Sequence, residues 1–268
     1  MQSRSIREAS LWLTDKINKL RTHDFRSVCG HLWRNIFPGR NPRLHPWLID
    51  PEYLHLSSLK KAIKRFAPTC TGIVVDYGCG CKPYQSLFNH ATRYIGIDFG
   101  IQGPDTFEPN PDGSIPLDAD SADVMISTQV LEHIPNVQQY LNECVRVLRP
   151  NGRLLVSTHG IWPYHPGPHN DDFYRWTGAG LRREIELAGL KVVAMHEECR
   201  GSLCLAQQFL ALFDPASARN RLFRLMLGVV SLMINSVMVS LAWIAPRLMT
   251  AGDIVPICIL VEARKEAI

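Results

Sequence analysis

Two acids and two glycines sit where a strand would hand a ligand over to a turn. Asp76 precedes Gly78 and Gly80 in Val74-Val75-Asp76-Tyr77-Gly78-Cys79-Gly80-Cys81, and Asp98 closes Tyr94-Ile95-Gly96-Ile97-Asp98, 22 residues after Asp76. Glycines at such a turn let backbone approach a ligand where a Cβ would collide. A carboxylate at position 76 can accept from the amino group of a bound amino acid, and one at 98 can take both hydroxyls of a ribose. A dinucleotide site would use the same ribose acid but prefers GxGxxG, with pyrophosphate on the next helix's amino terminus. Here Gly80-Cys81-Lys82 is followed by Pro83, so the third glycine is missing. An acid at 76 would also repel a pyrophosphate, whereas the ammonium of a methionyl group needs one. The chemistry points to S-adenosylmethionine rather than NAD.

The elements that must position these groups alternate in kind. Ile73 to Asp76, Tyr94 to Asp98, Asp123 to Ser127 and Arg153 to Ser157 are short buried-strand runs. Val137, Leu141, Cys144, Val145 and Leu148 mark one face of an amphipathic helix, which Arg149-Pro150-Asn151-Gly152 should end in a turn. Strand–helix alternation from residue 72 onward implies an α/β domain with a mostly parallel sheet. Ahead of it, Arg4 to Arg21 and about Pro51 to Phe66 have helical spacing, separated by the proline-rich stretch 37–46.

Ligands of open α/β sheets bind beyond the carboxyl ends of the strands. Gln129, Glu132 and His133 follow the third strand; Thr158 and His159 follow the fourth. A loop rich in histidines, aromatics and prolines then runs from Trp162 to Thr177. Methyl transfer needs a nucleophile held in line, and a hydroxyl acceptor gains from a general base near neutral pKa. His159 and His169 are the candidates, although either histidine alone could be structural. Arg175, with Trp176 beside it, could hold a phosphate or carboxylate bidentately, or Arg175 could pair with Asp171 or Asp172.

Composition narrows the class. The 268 residues are 46% hydrophobic and 20% charged, which excludes a disordered chain. Of the net +4, residues 1–66 supply 13 basic against 5 acidic side chains, so the remainder is net acidic. Such an arm suits a phosphate-bearing partner or an anionic membrane, or is a solvated helical face; no specific nucleic-acid partner is implied. Eight cysteines form no CxxC pair or zinc-like His/Cys spacing, so no metal site is expected. The polar start suggests no signal peptide and a cytoplasmic setting with reduced thiols. Leu225 to Pro246 holds no charged residue over 22 positions, with Arg219, Arg221 and Arg224 before it and Arg247 after it. That length could cross a bilayer. Yet Lys191 to Met195 and Ile254 to Val261 look like two strands that must pair, and a single crossing would part them. A helical hairpin in the membrane interface, with Leu203 to Phe213 as its shorter arm, or a packed helix pair remains. Residues 203–246 are the expected peripheral membrane contact on the inner face of the cell membrane.

The run from Val74 to Thr158 resembles the class I methyltransferases of the methyltransferase type 11 group. VVDYGCG, YIGID, IPLDADSADVMISTQVLEHI and VLRPNGRLLVST follow in order over about 85 residues. The resemblance implies a Rossmann-like seven-stranded, mostly parallel sheet with the last strand antiparallel, and S-adenosylmethionine as cofactor. It places Asp76, Gly78 and Gly80 at the methionyl end, Asp98 at the ribose, Asp112 near the adenine and Gln129 near the sulfonium. Lys82 stands where the family has its third glycine. The segment His169 to Thr177 is similar to that of bacterial methyltransferases found beside cell-surface polysaccharide enzymes. The expected organisation is an N-terminal helical cap (1–66), a methyltransferase core (67–200), an apolar helical insert (201–250) and a final strand (251–268). The expected reaction is methyl transfer to a hydroxyl of a sugar or lipid-linked glycan. A small molecule or lipid quinone as acceptor, or a non-catalytic cofactor-binding scaffold at a membrane, stays open.

Overall fold

The computed structural model describes residues 41–101, 103–166, 171–212, 221–249 and 256–267. The helix expected over Arg4 to Arg21 lies outside these residues. Seven strands form one sheet: β1 (Gly72–Tyr77), β2 (Ala91–Ile97), β3 (Thr106–Phe107), β4 (Ala122–Thr128), β5 (Leu148–His159), β6 (Leu190–Glu198) and β7 (Cys258–Lys265). Their spatial order is β3-β2-β1-β4-β5-β7-β6. β1 to β5 pair in parallel, and β7 runs antiparallel to both β5 and β6.

Both faces of the sheet are covered, which explains why the strands read as continuous apolar runs rather than alternating ones. Successive residues still divide between the faces. Val75, Ile95, Met125, Leu154, Val156 and Val261 join one core; Val74, Tyr94, Val124, Ile126, Leu155 and Leu260 join the other. The first core takes α2 (Val137–Val147) and α3 (Gly178–Leu187) through Leu141, Cys144, Val147, Leu181 and Ile185. Asn136 and Thr177 start these helices by accepting from the N–H of Gln139 and Gly180. The second core takes α1 (Tyr53–Phe66) through Leu59, Ala62, Ile63 and Phe66, each large side chain stabilising the packing by about 1.5–3 kcal/mol relative to exposure.

The turn expected at Arg149 to Gly152 is instead a bulge inside β5. Pairing with β4 jumps from Ala122–Leu148 to Val124–Arg153, and Asn151 takes φ 65°. Between β6 and β7 the described residues form α4 (Gly201–Ala211), α5 (Arg221–Ile244) and the single turn α6 (Pro246–Met249). Strand order reverses between β1 and β4, so the ends of those two strands flank the crevice where a ligand is expected.

Candidate functional site

Asp76 lies at the end of β1, 1% exposed. Its Oδ2 accepts from the Tyr94 hydroxyl at 2.7 Å, while Oδ1 has no partner. Burial lifts its pKa from 3.8 to about 7, opposed by the Tyr94 bond and reinforced by the charge of Asp98. A buried carboxylate oxygen without a donor is an incomplete arrangement that an ammonium completes.

The glycine turn is pinned beside it, with the N–H groups of Gly78 and Cys79 both donating to the Ile97 carbonyl. Gly78 has φ 80°, and a Cβ there would lie 2.2 Å from Val130. Gly80 has φ 49° and open space where its Cβ would be, so the backbone leaves room for a ligand. Lys82 also has positive φ, 51°, which accounts for glycine at this position in the family motif. Its ammonium donates away from the crevice to the carbonyls of Pro104 and Asp105 at 2.8 and 2.7 Å. Asp98 is half-buried; it accepts from Gly80 N–H at 2.6 Å and Phe99 N–H at 2.7 Å, so it braces the turn as well as facing the crevice. Asp112 is exposed in a turn tied to β1 by the Tyr77 hydroxyl, which donates to the Gly113 carbonyl at 3.1 Å. Bonds from the Ser114 hydroxyl and N–H hold the Asp112 carboxyl below its usual pKa. Gln129, at φ 57°, donates to Ser157 Oγ at 3.2 Å and leaves a buried Oε1 without a partner.

Beyond the ends of β4 and β5 lies a buried imidazole cluster. His159 is 3% exposed and stacks on Trp162 with ring centroids 4.9 Å apart. His55 of α1 and His165 lie 5.1 and 5.0 Å from it. Its Nε2 is 3.5 Å from Glu132 Oε1, an oxygen with no hydrogen bond, and its Nδ1 has none either. The other Glu132 oxygen accepts from Thr158 Oγ1 at 2.8 Å. Burial dominates every titration here. It pushes Glu132 up, His159 well below the usual imidazole range, His55 to about 3 and His165 to about 4, the last partly countered by Asp172. The histidines are therefore neutral at pH 7. Glu132, His159 and His165 bring one ligand atom each to within 4.8 Å of one another, so the cluster could also take a cation.

Residues 75–156 match the family described as "Methyltransferase domain". Over residues 75–156 the chain is thus similar to S-adenosylmethionine-dependent methyltransferases. It is 34% identical over 145 residues to a Mycolicibacterium smegmatis protein named a probable S-adenosylmethionine-dependent methyltransferase, covering 48% of this chain and 56% of that protein. It is 27% identical over 101 residues to the ubiquinone biosynthesis O-methyltransferase of Rhodopseudomonas palustris, covering 32% and 39%. The chain thus spans about half the length of the curated relatives it matches, or less. Among solved structures, the crystal structure of the [4+2]-cyclase SpnF superimposes with a TM-score of 0.50 at 13% identity, over 80% of this chain and 83% of that one. That likeness concerns the fold alone.

Within the matched residues, the structure gathers Asp76, Gly78, Gly80, Asp98 and Gln129 around the crevice at the ends of β1, β2 and β4, with the Asp112 turn joined to β1. The residues fit the cofactor: a buried acid lacking a donor, a half-buried acid, and open space over Gly80. His159 lies in the imidazole cluster, whereas His169 is outside the described residues. Arg175 and Trp176, expected at the acceptor, have these partners within the fold. The Arg175 guanidinium spends its donors on the Trp162, Pro163 and Tyr174 carbonyls and both Asp172 oxygens, so it ties the loop together. Trp176 packs its indole against the sheet core. His55, His165, Trp162 and the buried Glu132 were not singled out by spacing. They come from three separate segments, and only a histidine on the buried face of α1 hinted at the first.

Proposed function

We propose that the protein methylates a hydroxyl of a sugar on a lipid-linked glycan, working at the inner face of the cell membrane. The observation that carries this reading is the pair His159–Glu132. It is neutral on the imidazole side, unpartnered at His159 Nδ1 and Glu132 Oε1, and walled by the Trp162 ring. The Trp162 ring offers a sugar an apolar face, and the unpartnered, buried Nδ1 lacks the donor that an acceptor hydroxyl would supply.

Bound S-adenosylmethionine supplies an electrophilic methyl carbon on a sulfonium. Asp76 holds the cofactor's ammonium, Asp98 its ribose hydroxyls, and Gly80 leaves the backbone space. The acceptor hydroxyl donates to His159 Nδ1. As the acceptor oxygen is methylated, His159 would take the hydroxyl proton on Nδ1, and Glu132, 3.5 Å from Nε2, would stabilise the charged imidazole. The neighbouring insert supports a lipid-linked acceptor: Gln207 Oε1 accepts from the His55 backbone N–H, Gln208 donates to the Ile161 carbonyl, and Trp162, Leu203, Ala206 and Met238 pack against one small core. The acceptor site is thus continuous with the apolar insert.

The test is a methyl-transfer assay on polyprenyl-linked sugars and, separately, on quinols. Methylated glycan is expected, with His159→Ala and Glu132→Gln each lowering kcat by roughly 10²–10⁴ at unchanged S-adenosylhomocysteine affinity. Turnover of quinols alone would replace the sugar reading.

A further inference from the structure

α5 is inside out. Leu225–Ile244 is long and apolar enough to cross a membrane, yet its buried stripe is where the polar groups lie. Asn235 is fully buried and donates to the carbonyls of Leu48 and Asp50 at 2.8 and 3.0 Å; Ser231 is 2% exposed, and Gly228 meets Ile49. The outward stripe runs through Met226, Val229, Met233, Val237, Trp243 and Ile244, all more than a third exposed. Between 225 and 244 the only exposed polar residue is Ser240, and its hydroxyl donates to the Ser236 carbonyl one turn back. A helix on a water-facing surface has the opposite pattern.

From this we infer that the outward face of α5 is a membrane-docking surface that seats the protein in one leaflet of an anionic bilayer. The inference places the surface for the membrane setting proposed above, and rests on that reading only for what the acceptor is. Two observations make the occupant lipid. The uncharged stretch is bracketed in sequence by Arg221 and Arg224 before and Arg247 after, positions that match lipid phosphates at either end of a helix roughly 36 Å long. The insert also closes on itself, because Ile257 N–H donates to the Cys199 carbonyl. Entry and exit therefore lie on the same side, and α4, with 11 residues, is too short to return across a bilayer. With Asn235 holding α5 along residues 48–50, the helix lies in the interface plane with its outer stripe sunk among acyl chains.

Full-length protein is floated with vesicles of neutral lipid and with vesicles containing anionic lipid, as wild type and as Met233→Asp/Val237→Asp. Both substitutions are at exposed positions, so S-adenosylhomocysteine binding and the melting curve serve as folding controls. Expected are flotation of the wild type, strengthened by anionic lipid and only partly reversed by high salt, and a loss of about tenfold or more in the double variant. Wild type that ignores every vesicle overturns the inference. So does a wild-type dimer that the double variant splits into monomers, which would assign the stripe to a second copy. Either failure leaves the methyl-transfer reading standing, because the cofactor and glycan assays read it separately.

Discussion

Replacing Asp76 with asparagine should weaken the cofactor and strengthen the empty protein. The carboxylate is buried with one donor, and burial moves its pKa from 3.8 to about 7. The folded chain therefore holds a proton that the unfolded chain has lost between pH 4 and 7. Stability falls as pH rises through that window, and the full cost is present above it. At 1.36 kcal/mol per decade, the cost amounts to about 4 kcal/mol. Asparagine keeps the Tyr94 bond and removes the charge, but it leaves an amide donor where Oδ1 stood, which costs about 1–3 kcal/mol. The net gain for the empty variant at pH 8 is then about 1–3 kcal/mol, and close to none, or a loss, at pH 4. Cofactor binding should lose about 1.5–3 kcal/mol, the scale of a hydrogen bond to a charged group. Because the ammonium requires the ionised acid, wild-type affinity should rise as pH climbs towards 7, with proton release on binding. Urea unfolding at pH 4 and pH 8 measures the first effect, and calorimetry in buffers of different ionisation enthalpy measures the second. A variant that binds S-adenosylmethionine like the wild type, or one whose stability relative to wild type is the same at both pH values, would refute the assignment.

Three further outcomes are expected. Asp98→Ala should weaken S-adenosylhomocysteine by ~1–3 kcal/mol in calorimetric titration, with NAD binding to neither form; unchanged affinity with collapsed stability would make Asp98 a brace for the glycine turn only. Gly78→Ala and Gly80→Ala should part company: Gly78→Ala, with positive φ and Val130 in the way, should cost ~1–3 kcal/mol of folding stability, whereas Gly80→Ala should be milder in urea and lose cofactor affinity. Arg175→Ala should loosen the loop and expose residues 160–166 and 171–176 to limited proteolysis without changing S-adenosylhomocysteine affinity, since its donors all end inside that loop.

The donor half was legible in the sequence because it is local. Asp76, Gly78, Gly80 and Asp98 sit on two strand ends, and buried strands announce themselves as apolar runs. The amphipathic period of α2 was equally plain. The imidazole cluster was not, because His55, Glu132, His159 and His165 meet only when α1 and the ends of β4 and β5 converge. Arg175 was ambiguous for a related reason: its spacing to Asp172 suits an ion pair as well as a ligand, and the fold shows the ion pair. Arg149 to Gly152 contains turn residues, but strand pairing on both sides absorbs them as a bulge. In α5 the apolar length was readable, while its orientation was not. Asn235 looks like an interruption in the sequence; in the fold it is the peg that holds the helix to residues 48–50.

The bond between Ile257 and the Cys199 carbonyl has an engineering consequence. Glu198 and Cys258 already face each other in the β6–β7 ladder, so everything between them is a cassette hung from one point of the sheet. Chain added at such a point costs only a logarithmic closure entropy, and the donor crevice at the far side of β5 does not depend on it. Replacing residues 200–256 with a tight hairpin turn should leave a cofactor-binding core that lacks the proposed membrane face and exposes His55 and Ile161 where α4 met them. The proposed membrane face and the donor crevice are thus separable parts, and α4 joins that face to the imidazole cluster through His55 and Ile161.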